Sequence, residues 1–174
     1  RAIDQLYLPW SGASDADSLK KRVTLKLDAG LYKINDSLKV PPYVNLVGDG
    51  SDKTVIEQTG AFAVIETING NGINAQTSST NQSNIIRLQG MTLKSYLTNP
   101  ALKLSSTKDS QFIDIKLQGP WTQGSAINAT QVGLLMEATS TPVTTQNNNF
   151  EKLKVVGFSY GILSNHDVAN NHFE

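Results

Sequence analysis

Apolar and polar residues alternate in short runs through most of this chain: VTLKL (23–27), VNLVG (44–48), FAVIETI (62–68), LQGMTLKS (88–95), FIDIKLQG (112–119) and FEKLKVVG (150–157). A period of two marks extended strands with one buried face. The last three runs superpose without gaps. Leu88, Phe112 and Phe150 then share one position, Met91, Ile115 and Leu153 a second, and Leu93, Leu117 and Val155 a third. A second strand recurs behind each, as ALKLSS (101–106), GLLMEATS (133–140) and GILSN (161–165), and Phe173 re-enters the first position. Leu88, Phe112, Phe150 and Phe173 are spaced by 24, 38 and 23 residues. The excess in the middle interval falls in the polar stretches 119–131 and 140–148, which read as enlarged loops.

A period in the twenties, with short strands and insertions confined to turns, points to a solenoid. The recurrent Leu consensus of leucine-rich repeats and the 3.6-residue period of helical repeats are both missing. What is left is a parallel β-helix, whose coils lie about 4.8 Å apart so that equivalent side chains pile up. The Phe residues then form an internal stack. The Asn residues ahead of them, Asn147 to Asn149 and Asn170 with Asn171, sit in turns, where Asn tolerates left-handed backbone and can form hydrogen-bonded ladders. A β-sandwich also consists of short alternating strands; the matched 24 and 23 intervals favour the coil. One stretch reads as a helix, SDADSLKKR (14–22), with Ser14, Asp15 or Asp17 as its cap and basic residues in its last turn.

Residues 23–60, VTLKLDAGLYKINDSLKVPPYVNLVGDGSDKTVIEQTG, carry a further pattern: Leu27, Ala29, Gly30 and Tyr32, then Leu46, Gly48 and Gly50, then Thr54 and Ile56. This resembles the opening coils of the pectate-lyase-like, single-stranded right-handed β-helix superfamily, especially the branch of phage tailspikes and related virion proteins. Asp28 stands where that family usually has Pro. The matching positions do structural work: the glycines permit tight turns, and Leu27, Leu46 and Ile56 point inward. The resemblance implies an all-β, right-handed parallel β-helix over 23–174, with an N-terminal arm and short capping helix over 1–22. Because Phe173 and Glu174 fall inside a new coil, the coils are expected to continue beyond 174 in a longer polypeptide. It also implies a virion component located on the phage tail, as tailspike, tail fibre or baseplate-associated protein. Its implied partners are other virion proteins, two further copies in a homotrimer, and a host-surface polysaccharide. The alternatives on the same fold are a polysaccharide depolymerase, hydrolase or lyase, and a secreted extracellular adhesin.

Charge narrows the partners. The 174 residues hold 15 Lys plus Arg against 15 Asp plus Glu, so no overall field favours nucleic acid or an anionic membrane. No apolar run approaches the roughly 20 residues needed to span a bilayer, and neither nucleic-acid binding nor membrane insertion is expected. Cysteine is absent, which excludes disulfides, thiolate metal sites and Cys nucleophiles. No cofactor is expected.

Polysaccharide hydrolysis needs two carboxyl groups about 5–10 Å apart. The acids in or near the repeats are Asp109, Asp114, Glu137, Glu151 and Asp167. Asp114 and Glu151, two and one residues after the aligned Phe on consecutive coils, are the catalytic candidates. The simpler reading makes them outer-face residues balanced by Lys116, Lys152 and Lys154. The three arginines, Arg1, Arg22 and Arg87, are not accompanied by an acidic cluster of the lyase type. SNHDVANNH (164–172) reads as a polar turn and GDGSDKT (48–54) as a turn lacking calcium-loop spacing, so no metal site is assigned. Low-complexity residues 69–84 read as a lateral loop. Trp121, in the inserted GPWTQGS, is the glycan-stacking candidate, since an exposed indole offers a flat apolar face with a donor at its edge; the competing reading has it packing the loop onto the coil or onto a neighbouring subunit. Trp10 belongs to an arm that can lie against another chain.

Overall fold

In a computed structural model the described residues are 22–68, 83–96, 98–126, 130–138 and 144–174. The expected arm with Trp10, the capping helix except for Arg22, and most of 69–84 lie outside them. Among the described residues there is no helix, and every strand pairing is parallel. A sandwich of antiparallel sheets is thereby excluded.

The chain runs in circuits. The first holds β1 (Val23–Leu27), β2 (Gly30–Ile34) and β3 (Leu38–Val40), and the second β4 (Val44–Gly48), β5 (Thr54–Gln58) and β6 (Ile65–Thr67). After β7 (Ser83–Asn84) come β8 (Arg87–Lys94), β9 (Leu102–Ser105) and β10 (Thr107–Lys108), then β11 (Gln111–Gln118), β12 (Val132–Glu137) and β13 (Thr145–Gln146). The last holds β14 (Asn149–Glu151), β15 (Lys154–Val156), β16 (Tyr160–Asn165) and β17 (Val168–Ala169), and β18 (His172–Phe173) starts over. From β8 onward each circuit visits a nine-stranded, a five-stranded and a four-stranded sheet in the same order.

Register is the outcome that matters most. Leu25, Leu46, Leu88, Phe112, Phe150 and Phe173 are successive in-register partners in the first sheet. The Phe112 and Phe150 rings stack at 4.7 Å between centroids, and Phe150 and Phe173 at 4.5 Å. Tyr32, Ile56, Leu93, Leu117 and Val155 form a second column, and Leu38, Ile65, Leu102, Leu134 and Ile162 a third on the second sheet. Most of these side chains are buried in one core. Leu153, aligned by sequence with Ile115, falls in the break between β14 and β15 and still packs against that core.

Two rows of left-handed residues bend the chain. Between the third sheet and the first, Ile85, Asp109, Asn147 and Asn170 all have positive φ. The residues that follow are tied to one another: Ser110 N donates to Asn148 Oδ1, and Asn148 N and Nδ2 both donate to Asn171 Oδ1. Asn148 Nδ2 also reaches Thr107 O, and Asn171 Nδ2 reaches Thr145 O. The repeated Asn-Asn is this ladder. Positions 145–146 belong to β13 and Asn147–Asn148 to its turn, so part of 140–148, read from sequence as inserted loop, belongs to the repeating strands and turns. Where the second sheet meets the third, Thr67, Thr107 and Thr145 form a buried hydroxyl column, with Thr67 Oγ1 2.6 Å from Thr107 Oγ1 and Thr107 N donating to Thr145 Oγ1.

The second left-handed row, Gly90, Asp114 and Lys152, lies inside the first sheet and divides it into two facets. The far facet consists of β2, β5, residues 92–94, residues 115–118 and β15.

Two substitutions test the stack. Phe150→Ala removes a fully buried ring stacked on both sides and is expected to cost about 3–5 kcal/mol in denaturant unfolding. Ile85→Asn replaces the one β-branched side chain in its left-handed row with a residue suited to that backbone. It is expected to raise stability by about 1 kcal/mol in the same measurement.

Candidate functional site

The residues with chemistry gather along the outer side of the far facet and at the corner where the chain leaves it for the second sheet. Between β4 and β5 the loop 49–53 crosses the next circuit. Gly50 N donates to Gly90 O at 3.0 Å, and Thr92 Oγ1 donates to Ser51 O. The crossing is tight enough to require glycine on both sides: a Cβ at Gly48 would sit 2.3 Å from Gly90 O, and one at Gly90 2.9 Å from Gly48 O.

This loop reaches as far as Asp114. The carboxylate accepts from Ser51 N at 3.1 Å and from Ser51 Oγ at 2.7 Å. Asp114 is thus the anchor of a strap that joins three circuits, its own left-handed backbone (φ 51°) turning the side chain toward the loop. Glu151 lies on the neighbouring strand as the in-register partner of Ile113, the residue before Asp114. Both oxygens of Asp114 are already engaged.

At the exit corner, Gly119 and Gly157 bring successive circuits together. A Cβ on Gly119 would meet Gly157 O at 2.1 Å, and Trp121 N donates to that same carbonyl. The Trp121 loop then closes on itself: Trp121 Nε1 donates to Ser125 O, Ser125 Oγ to Thr122 O, and Thr122 N to Ser125 Oγ. The donor at the edge of the indole is therefore used within the loop, and the ring remains 41% exposed. One circuit earlier, Tyr96 leaves the same corner 42% exposed, with Lys94 Nζ 4.8 Å from its ring centroid. Tyr160 is exposed on the following circuit.

Sequence alternation did not reveal the charged groups around these aromatics. Lys94 Nζ lies 3.2 Å from Glu57 Oε2, and Lys33 lies at 3.9 Å from Oε1. Burial raises the Glu57 pKa, but hydrogen bonds from Lys94 and Tyr96 and the charges of Lys94 and Lys33 outweigh it, and the carboxyl titrates below its ordinary value. On the second sheet Lys103 Nζ bridges Glu66 at 3.1 Å and Glu137 at 3.0 Å. Burial alone would lower the Lys103 pKa; the two carboxylates reverse this and raise it. A signal for both networks existed in the strict register, which places Glu57 beside Lys94 and Glu66 beside Lys103, but it becomes readable only once the circuits are aligned.

The remaining sequence candidates are dispersed. Asp109 accepts from Asn147 Nδ2 at the equivalent turn of the next circuit, His166 has left-handed backbone, and His172 Nε2 contacts Glu174 at 2.8 Å on the outer face. Among the described residues no group of three or more His, Asp or Glu side chains is placed to hold a metal ion. Asp49 accepts from Lys26 and from Ala29 N, which lowers its pKa; it pins the turn between β1 and β2.

No family model matches the sequence, and no curated protein matches it. Among solved structures the chain is similar to a protein of Geobacillus virus E2, ORF18, with a TM-score of 0.46 and 14% sequence identity, over 86% of this chain and 33% of that one. The chain spans about a third of that protein's length.

Two measurements test this geometry. Asp114→Ala leaves Ser51 N without its acceptor and is expected to cost about 1–3 kcal/mol, with faster amide exchange confined to 49–53; exchange unchanged in that loop would contradict the strap. For Glu57, whose folded pKa lies below the unfolded one, the stability contribution is complete above the unfolded pKa of about 4.5 and is lost as pH falls through the folded value. Glu57→Gln should therefore flatten the acid limb of a plot of Tm against pH.

Proposed function

We propose that this chain is a segment of right-handed parallel β-helix in a phage virion component, a tailspike, tail fibre or baseplate-associated protein. The segment acts as a rigid scaffold and touches host-surface glycan at the Trp121 corner. The observation that carries the reading is the in-register stacking of successive circuits, combined with the motif resemblance over residues 23–60. A stack held by columns of in-register apolar contacts resists bending and presents its corners at fixed spacing, which suits a load-bearing spike. Trp121 and Tyr96 leave that stack on successive circuits with exposed rings, as sugar stacking requires. Assembly as a homotrimer belongs to the same proposal.

The chemistry favours binding over cleavage. A general acid or nucleophile must be free to reach the scissile bond, whereas Asp114 is held at both oxygens by Ser51. The test uses the full-length product with host cells and with purified surface polysaccharide. Antibody labelling of virions is expected to decorate the tail, and Trp121→Ala to weaken glycan binding about tenfold, as loss of one stacking contact of 1–2 kcal/mol would. Oligosaccharide release abolished by Asp114→Asn or Glu151→Gln would replace this reading with a depolymerase. A cleaved secretion signal ahead of Arg1 in a cellular protein would replace it with an adhesin. Sedimentation at the monomer mass would remove the trimer.

A further inference from the structure

The far facet of the first sheet is basic although the chain as a whole is neutral. Its five strand segments carry Lys33, Lys94, Lys116 and Lys154 and a single acid, Glu57. Glu57 is shared by Lys94 and Lys33. Lys116 and Lys154 are direct in-register partners on neighbouring strands, both on the outer side because Ile115, Leu117 and Val155 face the core. Among the described residues neither has a carboxylate within ion-pair distance. The acids at the facet's near edge are Asp114, bound to Ser51, and Glu151.

Like charges placed directly opposite in a sheet are unfavourable, and at the other in-register positions among the described residues where a lysine meets a charged neighbour, that neighbour is a glutamate: Glu57 for Lys33 and Lys94, Glu66 for Lys39 and Lys103. The Lys116 and Lys154 pair breaks that pattern where the Trp121 loop begins, three residues beyond β11. We propose that Lys116 and Lys154 form an anion subsite for an acidic glycan, one carrying carboxylate or phosphate groups, that runs along the stack with its sugar faces toward Trp121 and Tyr96. The proposal rests on the reading of that corner as a glycan contact and adds the charge of the ligand. Nucleic acid is the less favoured polyanion: tight phosphate binding draws on about 6–10 cationic contacts, and among the described residues this facet has two lysines with no carboxylate in ion-pair range.

The experiment compares the wild-type protein with Lys116→Gln/Lys154→Gln, both positions being on the outer face, after checking that the two have the same circular dichroism. Binding and thermal shift are measured with polygalacturonate, with a poly(glycerol phosphate), with neutral dextran and with single-stranded DNA, at low ionic strength and at about 0.5 M salt, where the Debye length is a few Å. The expected result is binding of at least one of the first two probes, lost at high salt, weakened about tenfold in the double variant, and accompanied by a rise in wild-type Tm that the variant does not show. The carboxylate and phosphate arms decide which anion is preferred. Equal binding of the anionic glycans by wild type and variant, no binding of either, or tighter binding of DNA than of both overturns the anion subsite. If the subsite fails while Trp121→Ala still weakens binding to host glycan, the glycan-contact reading survives and only the charge of the ligand is wrong.

Discussion

Everything in this molecule depends on strands being laid one above another in strict register. A parallel backbone ladder repeats at about 4.8 Å, so once the first pair is in register each later circuit must place a similar side chain over its predecessor or leave a hole. The Leu25 to Phe173 column satisfies that demand with aliphatic residues early and aromatic ones late. The Phe rings lie within 14° of parallel, a stacked arrangement worth roughly 0.5–1.5 kcal/mol per pair beyond area burial.

The same rule governs polar positions. In the interior it produces the Thr67, Thr107 and Thr145 column and the Asn148 and Asn171 ladder, where amide and hydroxyl groups that would be costly to bury singly satisfy each other across circuits. On the outside it turns charge placement into a one-dimensional problem: Glu66, Lys103 and Glu137 solve it by alternation, Glu57 by serving two lysines. Tight crossings, such as Gly48 over Gly90 and Gly119 over Gly157, are places where backbone displaces side chain altogether, and both lie beside features with exposed chemistry, the 49–53 strap and the Trp121 loop.

Much of the fold was legible because Phe and Leu repeat at positions that only a stack would align. The first and second sheets could be read this way, and the meaning of Asn-Asn-Phe with them. The third sheet could not: its strands are two residues long, too short to show any period. Nor could the second left-handed row, since Gly90, Asp114 and Lys152 share no side-chain chemistry and the bend is imposed by packing. That explains the incomplete picture of Asp114. The place of Glu151 on the adjacent strand follows from alignment, whereas Ser51, the partner of Asp114, sits two circuits away in a loop whose path depends on Gly90. Trp121 was visible as an insertion residue, but the use of its Nε1 by Ser125 O was not.

Because the chain has no native cysteine, register is open to direct chemical measurement. Gln111 and Asn149 are in-register partners beside the Phe column, across the long 38-residue interval, at a strand separation of about 4.8 Å that suits a disulfide. Under mild oxidation Gln111→Cys/Asn149→Cys should cross-link nearly completely, and Ile113→Cys/Asn149→Cys, two residues out of step, should not. Efficient cross-linking of the second pair and not the first would show that the circuits are stacked in a different register and would contradict the account.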